Sequence, residues 1–82
     1  MDRKEILLKV HKSIAKIVEH ENFELEEITT AEDVSGWESV THMMIISDIE
    51  KSFSIKFKLM DLMNMNNVGD LITAIESELS VL

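Results

Sequence analysis

Three separate stretches of this 82-residue chain repeat apolar side chains at the three- and four-residue spacing of a helix, and no two stretches alternate as paired strands would. Ile6, Leu7, Val10, Ile14, Ile17 and Val18 share one face of a segment from about Asp2 to His20; Lys9, Lys12 and Lys16 lie opposite, and Leu8 falls off the stripe. Asp2 followed by Glu5 has the spacing of a capping pair. Val68, Leu71, Ile72, Ile75, Leu79 and Leu82 form a second such face. Asn67 is placed there as an N-cap, with Asp70 in the first turn, where a negative charge suits the helix dipole. A further helix is expected to begin close to Ser39 and run to about Phe53, with Gly36 punctuating the approach and Ser35 and Glu38 spaced as a capping box. It carries two stripes. Ile45, Ile46, Ile49 and Phe53, with His42 among them, form one; Val40, Met43 and Met44 form the other, shared with Ser47 and Lys51. Two arrangements fit this pattern: a helix buried on most sides, or one with a face in the core and another offered to a partner. Methionine suits the second, because its flexible thioether adapts to several surfaces.

The segments between these helices are less regular. From Glu21 to Glu38 the helical pattern lapses, Glu21, Glu24, Glu26, Glu27, Glu32 and Asp33 make the chain acidic, and Phe23, Leu25, Ile28, Val34 and Trp37 are unevenly spaced. This predicts a long connection pinned to the core by scattered apolar residues, and loops of such length are commonly functional. Its carboxylates lack the ordered spacing of a cation loop. Phe53, Ile55 and Phe57 alternate like a strand, but a lone strand has nothing to pair with, so they are expected to point inward from an extended connector. Leu59 to Met65 is expected to form a short helical piece. The fold class is therefore all-α: a single domain over residues 1–82, built as a small four-helix bundle of three longer helices and one short one, with a long first loop.

Composition narrows the function. The chain has no cysteine, which removes disulfides, cysteine-based zinc sites and a cysteine nucleophile, so helix packing must hold the domain together. Sixteen acidic and eight basic residues give a net charge of −8. Such a surface repels phosphate backbones, so nucleic acid is not expected as a partner; it would attract partners with basic patches, and simple solubility accounts for the charge equally well. No apolar run reaches membrane-spanning length and the start is lysine-rich, so a cytoplasmic protein without a membrane partner is expected. His11, His20 and His42 have no metal-ligand spacing, and with Gly36 and Gly69 the only glycines there is no phosphate-cradling loop. No metal site and no autonomous enzyme is expected.

What remains is Gly36-Trp37-Glu38-Ser39-Val40-Thr41-His42-Met43. Trp37-Glu38-Ser39-Val40 resembles the Trp-Asp-Ser-Leu form of the attachment motif of acyl and peptidyl carrier proteins. Ile49-Glu50-Lys51-Ser52-Phe53-Ser54-Ile55 is similar to the end of that family's second helix, and Asn66-Asn67-Val68-Gly69-Asp70-Leu71 resembles its Thr-Val-x-Asp-Leu entry into the last helix. The resemblance covers nearly the whole chain in matching order. Glu38 stands for the usual Asp, and Val40 for the usual Leu. The resemblance implies a free-standing acyl carrier protein bearing 4'-phosphopantetheine, taken from coenzyme A, on Ser39. Cargo would be an acyl intermediate of fatty acid, polyketide or related biosynthesis; peptidyl, aminoacyl or D-alanyl carriers share the architecture, and an unmodified helical adaptor is the remaining alternative. It further implies that Glu38, Val40, Met43 and Met44 are read by partners, namely a phosphopantetheinyl transferase and acyl-loading and synthase enzymes with basic or apolar docking patches. A monomer is expected. Ile46, Ile49, Val68, Leu71 and Ile75 would open to shelter a short acyl chain. A phosphodiester on Ser39 suits a helix start, whose unpaired N–H groups favour an anion.

Overall fold

The structure, a computed structural model, describes residues 1–80. Helix α1 (Arg3–Val18) starts on a reciprocal cap: the Asp2 carboxylate accepts from the Glu5 N–H at 2.9 Å, and the Asp2 N–H donates to Glu5 Oε1 at 3.2 Å. It ends where Glu19 turns left-handed and its N–H closes onto the Ala15 carbonyl. The stripe expected from the sequence faces inward, with Ile6, Val10 and Ile14 fully buried, while Leu8 is exposed.

The connection that follows is held at both ends. Near its start, His20 Nδ1 accepts from the Asn22 N–H, so the ring proton sits on Nε2 and donates to the Ser35 carbonyl at 2.7 Å. That bond ties the two ends of the loop across fifteen residues. In its middle, Arg3 of α1 grips the Glu27 carboxylate with Nε and Nη2, at 2.9 and 2.6 Å, and reaches Glu76 with Nη1 at 2.6 Å. Such forked pairing of a guanidinium fixes direction as well as distance. Leu25, Val34 and Trp37 bury from this loop, and a 3-10 turn at Ala31–Asp33 forms as Asp33 accepts from the Thr30 N–H at 2.9 Å.

Helix α2 (Ser39–Phe53) contributes Ile45, Ile46, Ile49 and Phe53 to the core. Helix α3 (Leu59–Met63) buries no residue fully and is anchored by the half-buried Leu62 beside Met65. Helix α4 (Val68–Leu79) begins at the expected cap, with Asn67 Oδ1 accepting from the Asp70 N–H at 2.8 Å, and buries Val68, Leu71, Ile72 and Ile75. Its first turn is stitched to the loop: the Val68 and Gly69 N–H groups donate to the Thr29 and Glu27 carbonyls at 2.9 and 2.7 Å. A Cβ on Gly69 would lie 3.1 Å from that Glu27 oxygen, which accounts for glycine there. α1 packs against both α2 and α4, and no strand occurs among the described residues. Leu82, expected on the α4 stripe, lies outside the described residues.

Four local expectations are corrected. Ser35 does not cap α2: it sits in the turn before Gly36, and Glu38 is the N-cap residue, its N–H donating to the Thr41 hydroxyl at 2.8 Å. Phe53 closes α2 where the helix is expected to end, so the extended connector does not begin with it: Ser54 turns left-handed and the Ile55 N–H folds back onto the Glu50 carbonyl at 3.0 Å. Of the remaining connector residues Phe57 is buried and Ile55 only half-buried. The short helix stops at Met63, two residues early, since Asn64 ends its hydrogen bonding. Finally, the long loop is not wholly irregular, as the 3-10 turn shows.

Gly36 holds a φ of +90°, and a Cβ there would lie 3.3 Å from Val18 Cβ. Gly36→Ala is expected to destabilise the chain by about 1–2 kcal/mol, the cost of forcing an L side chain into that region. A urea titration showing an unchanged midpoint would contradict this.

Candidate functional site

Ser39 is the first residue of α2 and is exposed. The turn beneath it is tightly built. The Thr41 hydroxyl accepts from the Glu38 N–H and donates to the Gly36 carbonyl at 2.5 Å, and the His42 N–H donates to the Glu38 carbonyl at 2.7 Å. Thr41, not Ser39, therefore supplies the side-chain oxygen that organises the helix start, leaving the Ser39 hydroxyl clear of that task.

Behind Ser39 stands an aromatic pair. Trp37 is buried, and its indole Nε1 donates to His42 Nδ1 at 2.9 Å; the rings lie 18° from parallel with centroids 6.0 Å apart. Because Nδ1 accepts, the proton of neutral His42 is on Nε2. Burial holds the His42 pKa below its ordinary 6.5. Ala31, Trp37, Glu38, Ser39 and His42 line an open groove of about 460 Å³. A separate cleft of about 40 Å³ is lined by Ala31, Trp37, His42, Met65, Asn66, Asn67 and Leu71, so Ala31 and the aromatic pair border both spaces. The core positions named as a shelter for cargo, Ile46, Ile49, Val68, Leu71 and Ile75, are packed, with exposures of 0–3 %.

Along α2 from Ser39, the second stripe faces outward: Val40, Met43 and Met44 are 76, 59 and 49 % exposed. Of the two arrangements open to this helix, one face in the core and one face out is the one it adopts. Residues 39–47 carry no Asp, Glu, Lys or Arg. The two carboxylates of α2 are engaged within the chain, Asp48 with Lys16 at 2.7 Å and Glu50 with the Phe57 N–H at 2.9 Å. The Lys16 hydrogen bond holds Asp48 below the usual carboxylate range. By contrast Glu19, Glu21, Glu24, Glu26, Glu27, Glu32, Asp33 and Glu38, half of the chain's acidic residues, lie between α1 and α2.

Among solved structures, the chain is similar to the solution NMR structure of holo acyl carrier protein from Geobacter metallireducens, with a TM-score of 0.83 and 29 % identity over 92 % of this chain and 86 % of that one. The chain has an acyl-carrier-protein-like fold. No protein-family model and no curated protein matches it. The carrier-like fold supports a carrier role rather than that of an enzyme. No helix among the described residues is long and apolar enough to cross a membrane.

The carrier-like bundle brings Ser39, Glu38, Val40, Met43 and Met44 onto the outer side of one helix. His42, grouped by spacing with the core stripe, is only half-buried and turns toward Trp37. The five-residue separation of Trp37 and His42 gave no signal on its own, because one lies in the turn and the other in the helix.

The pair has a pH signature. A base whose folded pKa is depressed takes up its proton more readily in the unfolded chain, so stability is complete above about 6.5 and falls as pH drops toward the lower folded value. His42→Gln is expected to flatten the Tm profile from pH 6.5 downward. An equally steep fall in that variant would remove His42 as its cause.

Proposed function

We propose that this chain carries acyl or related intermediates as thioesters on a 4'-phosphopantetheine arm attached to Ser39, in fatty acid, polyketide or related biosynthesis. The observation that carries the reading is an exposed serine at the first position of α2, in a chain similar to a solved holo acyl carrier protein. Among the described residues no base accepts a hydrogen bond from the Ser39 hydroxyl, so a phosphopantetheinyl transferase must take its proton. Ser39 Oγ then attacks the coenzyme A phosphorus; the new O–P bond forms as the pyrophosphate P–O bond breaks, and adenosine 3',5'-bisphosphate leaves. The residues fit the product. The helix start offers N–H groups and the positive end of a dipole to the phosphodiester, and the groove beside it leaves the arm room. The arm's thiol supplies the thioester chemistry that this cysteine-free chain lacks. Tethering then raises the effective concentration of cargo at a partner's active site. The test is mass spectrometry after incubation with coenzyme A and broad-specificity transferases: one phosphopantetheine on Ser39 supports the reading, and no gain with any of them ends it.

Glu38, Val40, Met43 and Met44 form the surface that such partners read, and its apolar exposure suits a partner with an apolar patch. Replacing both Met43 and Met44 with glutamate is expected to lower the transferase's kcat/KM for this chain at least tenfold with the fold intact by circular dichroism. An unchanged kcat/KM would move the docking surface elsewhere.

A further inference from the structure

An enzyme that reaches Ser39 lies against the helix that Ser39 begins, and the charges along that helix say what the enzyme must carry. Val40, Met44, Ser47 and Lys51 follow one another at helical spacing on the exposed side of α2. At the head, Glu38 is exposed and makes no ion pair among the described residues. Further along, a groove of about 370 Å³ is lined by Ile17, Met43, Met44, Ser47, Asp48 and Lys51. Its two charged residues differ. Asp48 is 20 % exposed and already matched by Lys16 of α1 at 2.7 Å. Lys51 is exposed and makes no ion pair among the described residues. The charge left unbalanced at the groove is therefore positive, in a chain of net charge −8. Lys51 lies about 18 Å beyond Ser39 along the axis, at about 1.5 Å per residue. A standard interface covers about 800 Å² per partner, a patch roughly 30 Å across, so one partner meets both ends.

We infer that the enzyme loading Ser39 docks along α2 in one direction, with a cationic side chain opposite Glu38, apolar side chains against Met43 and Met44, and a carboxylate opposite Lys51. This rests on the carrier reading and adds the partner's charges to it. A docking patch that is basic throughout, which the net charge alone would favour, is repelled by Lys51 at the tail of the helix. Apolar contacts hold a complex without fixing its direction. Opposite charges at the two ends of a neutral stripe do fix it, because the reversed complex sets like charges together at both ends. Direction matters here, since the Ser39 oxygen must meet phosphorus in line. Lys51 is thus a positioning residue and takes no part in the transfer itself.

The test uses the whole chain and whichever broad-specificity transferase loads it fastest from coenzyme A, with initial rates read by mass spectrometry. Rates are measured at low salt and in about 0.5 M sodium chloride, where screening confines charge effects to about 4 Å. Lys51→Glu is expected to lower kcat/KM at least fivefold at low salt, through KM, with kcat within twofold. Glu38→Gln is expected to lose at least threefold in the same manner. Lys51→Arg, which keeps the charge, is expected to stay within twofold. So is Lys56→Glu, which changes the net charge as Lys51→Glu does but from an exposed site outside α2. High salt is expected to bring Lys51→Glu within twofold of the unaltered chain. Should Lys51→Glu fail to fold by circular dichroism, Lys51→Gln replaces it, with at least a twofold loss expected. An unchanged or raised kcat/KM in the Lys51 charge variant, an unchanged one in Glu38→Gln, an equal loss in Lys56→Glu, or a loss that survives high salt would each overturn the inference. If no transferase adds mass to Ser39 of the unaltered chain, the carrier reading falls and the inference with it. Normal loading of the unaltered chain together with any of the overturning results removes the inference alone.

Discussion

Ser39→Ala is expected to abolish phosphopantetheine transfer while leaving the bundle folded and its stability within about 0.5 kcal/mol of the original. Ser39 is exposed, and the helix start is organised by the Glu38 backbone and the Thr41 hydroxyl, neither of which the substitution touches. Alanine is well tolerated in a first helical turn. The effect on modification should be complete, because the oxygen that bonds phosphorus is gone. Ser35→Ala and Ser47→Ala are the controls, both exposed and both near α2. They should be modified at the original rate. A phosphopantetheine found on the Ser39→Ala chain would place the attachment elsewhere.

Ile49→Ala carries the largest expected cost in stability. Ile49 has no exposed surface and belongs to the cluster formed with Ile6, Val10 and Ile14 of α1 and Leu71 and Ile75 of α4. Removing three buried carbons loses their transfer free energy and leaves a cavity, together about 2–5 kcal/mol. At about 0.05–0.15 kcal/mol per residue, a chain of this length has only about 4–12 kcal/mol in hand. Urea unfolding should show a midpoint lowered by about a sixth or more at constant slope. A change below about 1 kcal/mol would mean that the packing around α2 is looser than described.

The long helices were legible because each buries one face, and burial of a face forces the three- and four-residue spacing that Ile6, Val10 and Ile14 or Leu71, Ile72 and Ile75 display. The two outer caps were legible because Asp2 and Asn67 act on residues three positions ahead. So was the position of Ser39 at the head of α2. What stayed hidden depends on the chain's path. Arg3 meets residues 24 and 73 positions away, and no local pattern encodes that meeting. The Trp37–His42 bond needs the Gly36 turn to set the indole against the first turn of α2, a geometry that spacing alone does not determine. The choice of Glu38 over Ser35 as the cap likewise follows from that turn.

The division of charge between the acidic loop and the neutral head of α2 separates how a partner arrives from how it stays. Eight carboxylates on the segment leading to Ser39 set a field that reaches about 8–10 Å at ordinary ionic strength, whereas the exposed residues at the head of the helix, Ser39, Val40, Met43, Met44 and Ser47, carry no charge. For a cationic partner docking on that helix, added salt slows capture and leaves residence time nearly unaltered. For such a partner, speed of association and duration of the complex would be set by different stretches of the chain, and substitution in one would leave the other undisturbed.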